Sequence, residues 1–258
     1  MSRLEELYAY REMIFSLVRR DLKGRYKGSV LGFFWTFLNP LLQLAVYTMV
    51  FSLIMRAGID DYYLFLFVAL IPWIFFSTSL TGGASCIMEQ QDMVKKIYFP
   101  REVLPIAYVT SQFVNMLLSF LVIFAVLLFS RSALNLVAVL CLPVIMVVEY
   151  ILALGFTMMM SAVTVYIRDL EYLLGIFTMA WQFLTPVMYP IEQVPERIRW
   201  VFSLNPMTYV ITAYRDILYY GKMPRLETLL SAAALGGVML LAGWTVFHRL
   251  QKHFVEEL

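Results

Sequence analysis

Six long apolar segments constrain this chain of 258 residues more than any other feature of its sequence. Each is near the about 20 residues that a membrane-spanning helix needs, and their approximate bounds are 30–55, 63–85, 105–129, 134–164, 173–189 and 227–247. Because a backbone in lipid must satisfy its hydrogen bonds within its own segment, these lengths favour helices. The fourth segment is long enough to tilt or to extend beyond the bilayer. The sequence therefore predicts an all-α integral membrane protein with six transmembrane helices.

The composition excludes several other classes of protein. Apolar residue types make up 61% of the chain and charged types 15%, against about 45–50% and about 25% in soluble domains. A soluble protein of this size cannot bury so much apolar surface, which excludes a soluble enzyme, a disordered chain and a nucleic-acid-binding protein. The two cysteines provide no disulfide framework. The charged segment ahead of the first apolar run is unlike a signal peptide.

Lys and Arg residues are unevenly distributed between the connections. Seven of the 20 lie within the first 27 residues, and in total 13 lie on one side of the predicted spans and seven on the other. Cytoplasmic loops collect Lys and Arg. Both termini are therefore predicted to be cytoplasmic, which agrees with an even number of spans.

Residues 1–29 are predicted to form a cytoplasmic segment ahead of a transmembrane domain of residues 30–258. Apolar residues recur at helical spacing over residues 4–23, with charged residues such as Glu5, Arg11 and Arg19 between them. This pattern predicts an N-terminal amphipathic interfacial helix lying on the membrane surface. The alternative is a soluble helix that packs on a partner.

The connection of residues 190–225 carries helix-start signals but no segment long enough to span. Pro195 can start a short helix with Glu196 in its first turn. Asn205 can cap a second helix that has Pro206 at its first position and runs to about Tyr220. These signals predict short re-entrant or interfacial helices in the outer loop before the last span.

The sequence contains few side chains that could act in catalysis or bind ions. No GxxxxGK[ST] motif occurs, so the chain has no P-loop for ATP hydrolysis. Neither metal-ligand spacing nor a nucleophile triad is visible, and we expect no catalytic residue, metal or cofactor. Glu149 is the only ionisable residue well inside a predicted span. We interpret it as a partner in a helix–helix hydrogen bond, with a transport role as the alternative.

Two predicted spans carry polar and aromatic side chains at helical spacing. In the first span, Thr36, Asn39 and Gln43 follow one another at steps of three or four and share one face. Aromatic rings beside hydroxyl or amide groups suit both the C–H faces and the hydroxyl edges of sugars. We predict a partly polar translocation path, with ordinary helix packing as the alternative. The candidate path residues are Phe33, Phe37, Asn39, Gln43, Tyr47 and Phe51 of the first span and Phe177, Trp181, Gln182 and Tyr189 of the fifth.

The connection between the second and third spans mixes charged with apolar side chains. A solvated turn does not need the apolar ones, whereas a short helix that docks into another protein does. The alternative is an interfacial loop anchored by Tyr98 and Phe99. The candidate docking residues are Lys95, Lys96, Tyr98, Phe99, Arg101 and Glu102.

In four stretches the chain resembles the membrane subunit of ABC-2 type polysaccharide exporters, the Wzm, TagG and KpsM-like permeases. The stretches are RYKGSVLGFFWTFLNPLLQLAVYTMVFS (25–52), MVKKIYFPREVLPIA (93–107), VYIRDLEYLL (165–174) and PVMYPIEQVPERIRWVFSLNPMTYVITAYRDIL (186–218). Their order and spacing match over nearly the whole chain. Each stretch alone is moderately specific, and the four together are strongly so.

The resemblance implies a homodimer of permeases in the bacterial inner (plasma) membrane, with two copies of a separate ATPase subunit and a lipid-linked glycan as cargo. It also implies that the docking residues form the coupling segment that meets the ATPase. The short outer helices would gate the exit, with Pro195, Glu196, Asn205, Pro206, Tyr209 and Tyr214 as gate residues. Membrane lipid is the expected surrounding, and no nucleic acid is expected. An ABC-2 exporter of a drug or lipid, an ion-coupled carrier and a membrane scaffold stay open as alternatives.

Overall fold

The computed structural model describes residues 3–24, 28–54, 58–129 and 135–258, and these residues contain helices and no β-strand. The helices are α1 (Arg3–Ala9), α2 (Arg11–Gly24), α3 (Trp35–Thr48), α4 (Tyr62–Ala84), α5 (Gln91–Lys96), α6 (Val103–Phe129), α7 (Leu136–Val139), α8 (Leu142–Tyr166), α9 (Leu170–Phe183), α10 (Glu196–Leu204), α11 (Pro206–Leu218), α12 (Leu226–Leu250) and α13 (Phe254–Glu257). Within the described ranges, four helical stretches are long and apolar enough to cross a membrane: 62–84, 103–128, 136–166 and 226–253.

Three predicted spans coincide with single helices, and a fourth is interrupted. The predictions at 63–85, 105–129 and 227–247 agree with α4, α6 and α12 to within three residues. The predicted span at 134–164 is divided by a turn at Leu140 and Cys141, which separates α7 from α8. Pro143 lies in the first turn of α8, where its missing amide hydrogen removes no helical hydrogen bond.

The first and fifth predicted spans do not form long regular helices. α3 has 14 residues and continues as a π-helical turn over Met49–Ile54. α9 also has 14 residues and ends at Phe183, well before the predicted end at 189. Such a helix rises about 21 Å, less than the about 30 Å of a hydrocarbon core. Pro186 explains the early end of α9, because proline lacks an amide hydrogen and disfavours a helical residue before it.

α4 is the central helix of the described structure. In the most apolar 18-residue stretch of α4, 78% is buried inside the protein, whereas in the corresponding stretch of α12 only 17% is buried. α6, α8, α9 and α11 pack against α4, and α12 packs along α8. Exposed apolar side chains of α12, such as Val238 and Leu241, form an outer surface suited to lipid.

The contact between α8 and α12 depends on two glycines. A Cβ atom added at Gly243 would lie 2.0 Å from the Gly155 carbonyl oxygen, and one added at Gly155 would lie 2.6 Å from the Leu240 amide nitrogen. Small residues let two membrane helices approach until their backbones touch. No larger residue fits at either position without moving a helix.

The N-terminal helix predicted over residues 4–23 forms as two helices that are divided at Tyr10. α2 packs along α6, where the Asp21 carboxylate accepts a hydrogen bond from the Ser111 hydroxyl. Apolar side chains of α1 and α2 also pack against the buried cluster that contains Phe99 and Phe254. The position of these helices on a membrane surface and the domain boundary at residue 29 stay predictions.

Candidate functional site

The candidate path residues of α3 differ in their surroundings. Asn39 is exposed, and its Oδ1 accepts a 3.4 Å hydrogen bond from Nε2 of Gln43. Tyr47 and Phe51 are half-buried against the main core, and the Phe51 ring stacks on Tyr62 with 6.2 Å between ring centres. This part of the chain is therefore polar at Asn39 and Gln43, and it packs against the core at Tyr47 and Phe51. Phe37 is half-buried, and the side chain of Phe33 lies outside the described residues.

The candidate path residues of α9 and its following turn also separate. Phe177 is 54% exposed, whereas Trp181 is half-buried among aromatic rings. The centres of the Phe76 and Phe156 rings lie 5.1 and 5.4 Å from that of Trp181. For Trp181 the structure therefore shows the packing contacts that the alternative interpretation expects, although these do not test a path. Gln182 is half-buried, and Tyr189 lies in the connection after α9, where its hydroxyl donates to the Phe183 carbonyl.

The candidate docking residues divide into an exposed and a buried group. Lys95 and Lys96 end α5 and are exposed, and Tyr98 is 86% exposed in the extended residues that follow. Phe99 and Glu102 are 5% and 2% exposed. The exposed group ends at Tyr98 and the buried group begins at Phe99, where the extended residues after α5 meet the interior of the protein.

The buried group attaches the segment to the C-terminal end of the chain. Oε1 of Glu102 accepts a 3.0 Å hydrogen bond from Nε2 of Gln251, and Arg101 donates to the Gln251 carbonyl. Phe99 belongs to the same buried cluster as Phe254. Only Lys95, Lys96 and Tyr98 of the predicted set are therefore fully presented for docking.

Asn205 caps α11 as predicted and also connects two elements. Its Oδ1 accepts a 3.0 Å hydrogen bond from the Met207 amide, and Pro206 occupies the first turn of the helix. Its Nδ2 donates to the Leu184 carbonyl at 3.0 Å and to the Thr185 hydroxyl at 2.8 Å. The cap therefore fixes the start of α11 to the end of α9.

The two short helices predicted in the connection of residues 190–225 form where they are predicted. Pro195 precedes α10, and Glu196 is its first residue. α11 ends at Leu218, near the predicted end at about Tyr220, and Gly221 follows with a φ of 61°, a left-handed conformation that glycine adopts readily. Their proposed role as an exit gate is a separate matter that these contacts do not test.

Arg215 is a residue of this region that sequence reasoning missed. It is 5% exposed, and its guanidinium donates to the carbonyls of Pro186 and Val187 at 2.5 and 2.6 Å and of Tyr189 at 3.2 Å. The guanidinium carbon also lies 3.6 Å from the centre of the Phe65 ring. Burial lowers the pKa of Arg215 to about 9, which leaves the side chain charged at neutral pH. Arg215 therefore holds the turn after α9 against α11 and α4.

The sequence does contain a signal for Arg215, because it is a charged residue on the otherwise apolar face of α11 that carries Ile211 and Tyr214.

Tyr214, a predicted gate residue, is fully buried, and its hydroxyl donates a 2.7 Å hydrogen bond to Oε2 of Glu149. This contact confirms the predicted helix–helix hydrogen bond of Glu149. Tyr209 is half-buried, and its hydroxyl donates to the Ser203 carbonyl at 2.9 Å.

Comparison with known proteins gives one matching family and several similar permeases. Residues 12–219 match the family described as ABC-2 type transporter. The chain is 38% identical over 257 residues to the O-antigen export system permease protein RfbA of Myxococcus xanthus, covering 99% of this chain and 98% of that protein. It is 30% identical over 245 residues to a protein of the same name from Klebsiella pneumoniae, covering 95% and 94% of the two chains. With its apolar helices it is a multi-pass membrane protein, and it belongs to the ABC-2 type transporter family.

Proposed function

We propose that this chain is the membrane-spanning permease subunit of an exporter that moves a lipid-linked polysaccharide across the inner (plasma) membrane of a bacterium. The observation that carries the proposal is full-length similarity to two proteins named O-antigen export system permease. A polysaccharide of the O-antigen type is therefore the first candidate cargo, ahead of a capsular or teichoic-acid polymer.

The proposed topology has six membrane crossings. Four are the apolar stretches described above, and the other two are α3, extended by its π-helical turn to Ile54, and α9 with the turns that follow it. The 13-to-seven distribution of Lys and Arg supports cytoplasmic termini. In this arrangement α1 and α2 lie at the inner surface, and α10 and α11 lie at the outer surface beside the exit.

A separate ATPase is proposed to drive transport, with two copies bound to a homodimer of this chain. The absence of a GxxxxGK[ST] motif from the sequence supports a separate motor. The exposed part of the docking segment, Lys95, Lys96 and Tyr98, offers two cations and an aromatic ring to such a partner. Aromatic residues of this kind dominate the energetics of many interfaces.

The proposed path runs between the two copies of the chain. α3 offers the amides of Asn39 and Gln43, and α9 offers the exposed ring of Phe177. Neutral polar groups and rings make many weak contacts with sugars, so a polymer can slide past them. Strong charges would be costly in lipid and would retain anionic sugars.

The proposal is tested by deleting the gene for this chain and analysing lipid extracts and surface glycans by mass spectrometry. The expected result is accumulation of one lipid-linked glycan inside the cell, together with loss of the same glycan from the surface. Restoring the gene should reverse both effects. Unchanged surface glycans without accumulation of any lipid-linked glycan would overturn the proposal, and accumulation of a lipid without sugar would favour a lipid exporter.

A further inference from the structure

A polar cavity of about 110 Å³ lies between α3, α4 and α6. Six polar side chains line it: Thr36, Asn39, Thr78, Gln112, Asn115 and Ser119. The three from α6 follow one another at steps of three and four residues, so they share the face of the helix that the cavity touches. At the about 30 Å³ that a water molecule takes up in the liquid, the cavity has room for about four waters, which suits the hydroxyl-bearing edge of a sugar ring.

The wall of the cavity offers both hydrogen-bond donors and acceptors, because it carries side-chain amides as well as hydroxyls. Oδ1 of Asn115 is buried and accepts no hydrogen bond from the part of the chain that the structure describes. The hydroxyls of Ser119 and Thr78 donate to carbonyls of their own helices, at 3.0 Å to Asn115 and 2.6 Å to Ile74, and each hydroxyl oxygen can still accept a hydrogen bond. A buried acceptor without a donor is unfavourable, so Oδ1 of Asn115 favours a guest hydroxyl, which can donate to it and accept from a neighbouring amide.

The remaining wall is apolar and partly aromatic, with the rings of Trp35 and Phe75 and the side chains of Ile71 and Met116. None of the described lining residues carries a charge. Rings beside amides and hydroxyls suit the C–H faces and hydroxyl groups of a sugar, and a wall without cations does not compensate an anionic group.

Asn39 connects the cavity with the proposed path. Asn39 lines the cavity, but its side chain is also exposed on α3, where it accepts a hydrogen bond from Gln43. We infer that the cavity is a side pocket of the path that binds the hydroxyl-bearing edge of one neutral sugar unit of the cargo. This inference rests on the proposed function, and it adds a selectivity for neutral over anionic sugars.

Thiol labelling tests the pocket in the full-length protein reconstituted in lipid nanodiscs. In a background with Cys86→Ala and Cys141→Ala, Ser119→Cys places a thiol in the cavity, and Gln91→Cys places one on the exposed surface of α5 as a control. A small water-soluble methanethiosulfonate reagent should label both. The probes are methyl glucoside and methyl galactoside as neutral sugars and glucuronate as an anionic one.

A neutral glycoside at about 100 mM should slow labelling of the Ser119→Cys thiol about tenfold if its Kd is about 10 mM. Glucuronate should have little effect, and the Gln91→Cys thiol should react at one rate throughout. Failure of both neutral glycosides to protect the thiol would overturn the inference and leave a water-filled cavity. Equal protection by glucuronate would overturn the selectivity. A thiol that never reacts would overturn the inference, because a side pocket of the path must be open to water.

A pocket-filling variant gives an independent readout in cells. Ser119→Leu should lower the amount of surface glycan at least about tenfold while the permease is still inserted and still binds its ATPase, because a side chain of that size occupies the cavity. Normal export by this variant would overturn the inference but would leave the proposed function intact. The gene deletion described above tests the function itself, so the two failures are distinguishable.

Discussion

Replacing Arg215 by Met should release the turn of residues 186–189 from α11. Met keeps an unbranched stem of similar length but removes the charge and all three hydrogen bonds to the carbonyls of Pro186, Val187 and Tyr189. It also removes the contact between the guanidinium and the Phe65 ring. The change therefore separates the polar contacts of this side chain from its packing.

The size of the effect follows from the burial of the acceptors. Pro186 and Val187 are buried, whereas Tyr189 is half-buried and its carbonyl can bind water instead. A buried acceptor that loses its donor costs about 1–3 kcal/mol, so two of them cost about 4 kcal/mol in total.

The assay is the apparent melting temperature of the purified protein in detergent at one scan rate, because such proteins often unfold irreversibly. A loss of about 4 kcal/mol lowers it by about 8–16 °C in a chain of this size. Arg215→Lys should have a smaller effect, because it keeps the charge but not the planar set of donors. The control is Arg197→Met on the exposed surface of α10, which should change the temperature by less than about 2 °C.

A local measurement covers the case in which the turn detaches without global unfolding. Met188 is 4% exposed, so a thiol introduced by Met188→Cys should be protected in the parent protein and reactive together with Arg215→Met. An unchanged melting temperature together with a protected thiol at this position would refute the reasoning.

Three further predictions follow from single contacts. Tyr214→Phe removes the donor to the buried carboxylate of α8 and should lower the apparent melting temperature by about 2–10 °C; no change would show that the bond is not stabilising. Gly243→Ala should prevent the close approach of α8 and α12 and abolish stable assembly in size-exclusion chromatography, whereas Gly237→Ala, whose added Cβ meets no atom within 4 Å, should be tolerated. Tyr98→Ala should reduce co-purification of the proposed ATPase subunit about tenfold without changing thermal stability, whereas Phe99→Ala should lower stability because that ring is buried; equal effects of both on stability would contradict the division of the segment.

Much of the fold is readable from local sequence signals. The bounds of α4, α6 and α12 follow from apolar runs of about 20 residues, because in lipid such a run has no alternative to a helix. The cap of α11 follows from Asn205 and Pro206, since capping depends on neighbouring residues alone. The end of α9 was predicted too late from hydropathy, because an average over apolar residues does not register that Pro186 ends the helix.

What the sequence by itself determined is the membrane character, the helices and the family, all of which depend on residues close together in the chain or on patterns along it. What only the tertiary structure decided is which side chains meet across the fold. Glu102 is hydrogen-bonded to Gln251, which is 149 positions away, and Arg215 donates to carbonyls that are 26 to 29 positions away. The cavity exists only because α3 stands beside α6. Such contacts depend on how helices pack, and no periodicity within a single helix encodes the identity of its neighbour.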